Sequence, residues 1–199
     1  AYAAGLLGQN ILGSDFSYDV EVALTGDSYV AGEETALMEA IEGKRSQPRY
    51  RPPFPAAAGL WGKPSNINNV KTLSYAPAII RDGAEAFKNV GIESTSGTAI
   101  LCITGAVNRP GMYEVPMGSL TIREVVENVA GGVRDGKAMK MFQAGGPLFG
   151  PIGEEGFDSA IDFDSIAQTT GSLGSGGIII GDECMCCEPC QKSDVVQSV

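Results

Sequence analysis

Clusters of residues whose types and spacing suit chemistry lie at both ends of this chain. Near the end, Cys184, Cys187 and Cys190 repeat as C-x2-C-x2-C, a thiolate spacing that suits an iron–sulfur or other metal site. Nearer the start, Gly32, Glu33 and Glu34 stand where a strand-like run gives way to a helical one. A glycine turn entering a helix brings backbone N–H groups to a ligand, and carboxylates accept hydrogen bonds from hydroxyls. Further on, Asn68, Asn69 and Thr72 open a second helical stretch. Their amides and hydroxyl, with the N–H groups of a helix start, make a neutral cradle for a phosphate. Gly26 to Thr72 therefore reads as half of a site for a phosphorylated cofactor. Each cluster also has a plainer reading: first-turn acids that suit a helix dipole, asparagines that only cap a helix, and a tail of unmetallated thiols.

Composition narrows the chemistry. The chain has 199 residues, a formal net charge of −10 and no histidine. An acidic chain lacks the basic face that nucleic acid requires, though a bound nucleotide remains compatible. Without histidine, hydrolytic triads and His-bound zinc are poor expectations. Four of the five cysteines fall within seven residues, whereas a disulfide framework spreads its cysteines to staple distant segments. The clustering points to a reducing compartment. No apolar run is long enough to span a membrane, and no secretory leader is visible. The chain does not start with Met and is expected to begin inside a larger polypeptide.

The elements that would position these residues follow from periodicity and breakers. Ala1 to Leu12 reads as an amphipathic helix ending near Gly13, and Tyr18 to Leu24 alternates as a strand does. Gly32 allows a tight turn, and a helix runs from there to Gly43. Prolines at 48, 52, 53, 55 and 64 forbid a helix and give a stiff, extended segment. Arg45, Arg49 and Arg51 lie along it, as the solvated edge of a linker or as a rim approaching a nucleotide or partner. Val70 to Ile80 is helical around Pro77, and Gly91 to Gly97 reads as a linker. Next come a hairpin of Thr98–Gly105 and Met112–Val115, a helix over Leu120–Ala130 closed by Gly131-Gly132, and a strand at Lys140–Gln143. Leu120, Val125, Val126 and Val129 form that helix's apolar side. Gly174–Gly177 is a turn before the strand Ile178–Ile180, and Cys102 is expected to be a core thiol.

Several runs together, YVAGEETAL from Tyr29, EGKR from Glu42, QPR from Gln47, PPFP from Pro52, GKP from Gly62, INNV from Ile67 and GSGG from Gly174, resemble one family. It is the flavin- and NADH-binding subunit of respiratory complex I (the F-type subunit of NADH-quinone oxidoreductase), with relatives in NAD-linked hydrogenases and formate dehydrogenases. The resemblance implies an α/β chain: the C-terminal half of a Rossmann-like flavin/NADH-binding domain over 1–92, a small β-grasp, soluble-ligand-binding α+β domain over 97–181, and the start of an iron–sulfur region over 182–199. It assigns Gly32, Glu33, Glu34, Asn68, Asn69 and Thr72 to the cofactor site. It assigns Cys184, Cys187 and Cys190 to a 4Fe-4S cluster whose fourth ligand the family carries further downstream. FMN and NAD(H) are the implied cofactors. The implied partners are NADH and other subunits of an electron-transfer complex, a small 2Fe-2S subunit among them, with no nucleic acid and no direct membrane insertion. The implied location is cytoplasmic, peripheral to the membrane through partner subunits.

The function implied is NADH oxidation through FMN to iron–sulfur clusters, with no side chain acting as nucleophile or general acid. The alternative is a non-catalytic interaction module derived from that family. The family's glycine-rich flavin loop is expected upstream of this chain, so the piece alone should bind FMN and NADH weakly or not at all. Ala31 stands where the family has Cys, and Thr25–Ser28 replaces a small-residue run of the family. Neither difference removes an implied ligand group.

Overall fold

The computed structural model describes residues 1–26, 28–169 and 171–185. The chain divides into two compact units, Ala1–Val70 and a second beginning at Lys71.

The first unit opens on single 3-10 turns at Tyr2–Ala4 and Ile11–Gly13, not on the expected helix. Gly5, Gly8 and Gly13 all take positive φ, as do Asn10 and Leu12. Left-handed residues at that density cannot sustain an i→i−4 ladder, and they override the apolar periodicity of the segment. The expected strand over Tyr18–Leu24 also fails to form. Among the described residues its one ladder contact is the isolated bridge Gly8↔Tyr18. Alternation marks a segment suited to a sheet, but a strand exists only where a second backbone pairs with it.

The helix after Gly32 forms as the signals require. Helix α1 spans Glu34–Ile41, and Gly43 takes a left-handed φ of 75° just beyond it. The proline-rich segment then runs extended past Arg49 and Arg51, with cis peptide bonds at Arg51-Pro52 and Pro52-Pro53. It is not wholly without helix, because α2 occupies Pro55–Ala58 with proline at its first turn, the one helical position where a missing N–H costs nothing. Helix α3, Val70–Asp82, contains Pro77.

In the second unit, the short helix α4 (Ala84–Lys88) leads into residues 91–97. There β1 (Gly91–Ile92) and β2 (Thr95–Ser96) form a small hairpin. Strands β3 (Thr98–Gly105), β4 (Gly111–Pro116), β5 (Met139–Ala144) and β6 (Gly177–Asp182) make one sheet of order β4-β3-β6-β5. The β3/β4 and β5/β6 pairs are antiparallel, and β3/β6 is parallel with Cys102 opposite Gly177. Helix α5, Ile122–Glu124, continues as a π-helical turn through Val129. Its start carries a reciprocal cap between Thr121 and Glu124. A last helix, α6, covers Phe163–Ala167.

One apolar core fills the space between the inner sheet face and α5, with Leu101, Ile103, Phe142, Ile178 and Ile180 meeting Ile122, Val125, Val126 and Ala130. Ile122 is thus a core residue that periodicity had not marked, while Leu120 and Val129 pack at the margin. Cys102 is exposed rather than buried. Along β3 the inward positions are Ala99, Leu101 and Ile103, so the pleat turns Cys102 to the other face. The parallel junction depends on Gly176: its φ is 89°, and a Cβ there would lie 2.1 Å from the Ile100 carbonyl oxygen.

Candidate functional site

The start of α1 is built by Glu33. It holds an extended conformation just before the helix and accepts hydrogen bonds from the backbone N–H groups of Thr35 and Ala36. Oε2 takes these at 2.9 and 2.8 Å and also accepts from the Thr35 hydroxyl. Oε1 accepts from Arg51 Nη2 at 2.6 Å. Glu33 is therefore the N-cap, satisfying amides that a helix start otherwise leaves without partners. Partial burial pushes its carboxyl up, but the donors from Thr35, Ala36 and Arg51 outweigh this and hold it below the usual carboxylate range.

Glu34, the first residue of α1, forms an ion pair with the same Arg51 Nη2 at 2.8 Å. Gly32 is exposed and ends a 3-10 turn over Tyr29–Gly32. Neither its φ nor its surroundings demand glycine, because a Cβ built there meets nothing within 4 Å.

The arginines of the extended segment divide: Arg51 is exposed where it pairs with the start of α1, and Arg49 turns inward. Arg49 is half-buried and donates to Glu39, to Glu42 at 2.8 Å and to the Gly59 carbonyl at 2.9 Å. Its backbone N–H donates at 2.9 Å to the buried Thr35 hydroxyl. Glu42 receives Lys44 at 2.7 Å, Arg49, and the Trp61 backbone N–H at 2.7 Å. Those donors, Lys44 first, hold its carboxyl down at about 2. Arg45 remains exposed. The sequence displayed the charges but not their pairing, since Arg49 and Arg51 reach back to α1 from an irregular segment that has no period to read.

The remaining implied ligand residues gather at the other helix start. Asn68 and Asn69 are exposed and directly precede α3. Thr72 is exposed in its first turn and belongs to the second unit. Of the three implied cluster ligands, Cys184 is described and exposed, while Cys187 and Cys190 lie outside the described residues. The Cys184 amide donates to Asp182 Oδ1 at 3.0 Å, and Lys137 lies 3.4 Å from Asp182 Oδ2. Cys184 and then Asp182 beside Lys137 hold its ammonium above the usual lysine range. Among the described residues no group of three His, Cys, Asp or Glu side chains could hold a metal ion. No helix among them is long and apolar enough to cross a membrane.

Comparison with known proteins bears on the same stretches. Residues 2–78 match the Nuo51 FMN-binding domain and residues 100–151 the SLBB domain. The chain is 44% identical over 182 residues to the NADP-reducing hydrogenase subunit HndC of Solidesulfovibrio fructosivorans, covering 92% of this chain and 37% of HndC. It is 42% identical over 175 residues to the F-type subunit of NADH-quinone oxidoreductase from Escherichia coli K12, covering 88% of this chain and 39% of that protein. In three dimensions it resembles an NAD+-reducing nickel–iron hydrogenase crystallised in the H2-reduced state, with a TM-score of 0.72 at 33% identity, over 83% of this chain and 28% of that one. The chain thus spans about two-fifths of the length of these curated relatives.

Proposed function

We propose, from the premise that this chain is a relative of the F-type, flavin- and NADH-binding subunits of NADH-quinone oxidoreductases and NAD-linked hydrogenases, that it supplies part of the flavin and NADH site of such a subunit. The observation that carries this reading is the start of α1. A capped helix there presents Glu34 to solvent, beside a glycine that the chain's own packing does not require. The space left by that glycine suits close approach of a ligand to the backbone. On this reading Gly32 is assigned to admit an FMN, Glu34 to accept from its hydroxyls, and Asn68, Asn69 and Thr72 to its phosphate.

A bound FMN would supply the link between a two-electron hydride donor and one-electron iron–sulfur acceptors. The chain's part is to bind and orient. Glu33 fixes the helix start, and Glu34 offers a carboxylate acceptor. For a 4Fe-4S cluster the described residues supply one thiol, Cys184, so that part of the reading rests on the spacing to Cys187 and Cys190.

The second unit suits a β-grasp module. Its antiparallel outer pairs, parallel central pair and one helix across the inner face support that reading, as does the SLBB match. A small 2Fe-2S subunit as electron acceptor, and a cytoplasmic place peripheral to the membrane, complete the proposal by analogy with the relatives' complexes.

The test is purification of the complete polypeptide that carries this chain. Visible flavin absorbance and NADH-dependent reduction of an artificial dye are expected. A complete polypeptide lacking both would reduce the chain to an interaction module.

A further inference from the structure

Resting on the flavin reading above, we propose a task for the second unit: its sheet holds helix α3, and Tyr75 is the positioning residue through which it does so. The end of α3 that is held carries Thr72, which that reading assigns to the phosphate.

Helix α3 has little else to fix it. None of its residues is buried, and Val70, Leu73 and Ile80 are largely exposed. Its half-buried positions are Lys71, Tyr75, Ala78 and Ile79, which helical spacing stacks along one face. Pro77 falls within the helix, and a proline there removes the backbone bond that would tie it to the preceding turn. Thr72 and Tyr75 both lie ahead of that gap. The first half of α3 therefore depends on side-chain contacts more than an unbroken helix would.

Tyr75 supplies such a contact. Its hydroxyl donates to the Thr98 carbonyl oxygen, and its ring tilts against Phe87 with centroids 5.1 Å apart. One turn earlier, the Lys71 ammonium lies 5.8 Å from the centre of the same ring. Phe87 in turn rests on Gly97, whose φ is 92° and where a Cβ would lie 2.6 Å from the Phe87 Cζ. The acceptor is itself firmly placed. Thr98 opens β3, its hydroxyl donates to Glu114 of β4 at 2.7 Å, and Leu101 and Ile103 of the same strand sit in the core. All of these residues belong to the second unit. Positions three apart are neighbours on a helix surface, so a shift at Tyr75 is passed directly to Thr72.

The test uses the complete polypeptide, freed of flavin and titrated with FMN. Tyr75→Phe keeps the ring against Phe87 and removes only the hydroxyl. It is expected to weaken FMN binding on the order of tenfold. In the flavin-loaded variant the phosphorus NMR resonance of bound FMN should move toward that of free FMN. The visible circular dichroism of the flavin ring should keep its wild-type form. Hydrogen exchange in β3 and β6 should be unchanged, which separates a lost position from a lost fold. Unchanged FMN affinity in Tyr75→Phe would overturn the proposal. So would weakened affinity with an unmoved phosphorus resonance, because the contact would then act on another part of the ligand. Faster exchange across the sheet would make Tyr75 a residue of the fold alone and overturn it as well. A complete polypeptide that takes up no flavin at all would overturn the flavin reading and this proposal together.

Discussion

Glu42 carries the largest charge effect in the first unit, and its sign can be worked out directly. Its folded-state value is about 2, below the usual 4.5, because Lys44, Arg49 and the Trp61 amide all donate to it. A carboxylate depressed on folding contributes stability that is complete above its unfolded value and is lost as pH falls through its folded one. Thermal melts of wild type and Glu42→Gln should therefore differ most at about pH 6 and above, then converge between about pH 4.5 and 2. A gap that stayed constant with pH would show that the ion pairs contribute little. Glu33 shifts in the same direction, but its main contribution is the cap. Glu33→Ala should destabilise α1 by about 1 kcal/mol, read as a drop in melting temperature with the second unit's sheet unaltered.

At the level of elements, the join between α1 and the extended segment hangs on a hydroxyl. Thr35 donates to Glu33 and accepts from the Arg49 backbone N–H while almost wholly buried. Thr35→Val keeps the shape but leaves that amide without its partner, at a cost of about 1–3 kcal/mol. Chemical denaturation of Thr35→Val against Thr35→Ser, which restores the hydroxyl, checks this. Most of the elements were legible because their signals are local: acids and a glycine bracketing α1, a short apolar run in β3, a glycine pair closing the turn after α5. Other readings failed where the deciding factor lay elsewhere. The opening helix yields to glycines and left-handed residues. Cys102 is decided by which face of β3 meets α5. The roles of Arg49 and Arg51 depend on where an extended segment returns, which no period encodes. Of the candidate site, the residue types were legible. The unequal standing of Glu33 and Glu34 was not, because it depends on which of two consecutive carboxylates turns back to cap α1.

The whole chain is uneven in how its units are held. Among the described residues, nineteen buried apolar side chains form one connected core in the second unit, whereas Ala36 and Met38 are the buried apolar residues of the first. Leu12, Val22 and Leu24 stand 78%, 81% and 95% exposed, and the run Tyr18–Leu24 has strand-like alternation without a ladder. Opening free energies follow buried contacts and protected hydrogen bonds, so the units should not open together. Hydrogen exchange read by mass spectrometry on this chain should show peptides from β3, β5 and β6 as the slowest. Residues 1–24 should exchange within seconds, and α1 should fall between because its ion pairs and cap substitute only partly for apolar burial. In the complete polypeptide, protection over 18–24 should rise toward that of β3, since alternating apolar residues gain most from a neighbouring backbone that both pairs with them and covers one face. Equal and slow exchange across both units in this chain alone would contradict the unevenness. Rapid exchange over 18–24 in the complete polypeptide would mean that its alternating pattern serves something other than a sheet.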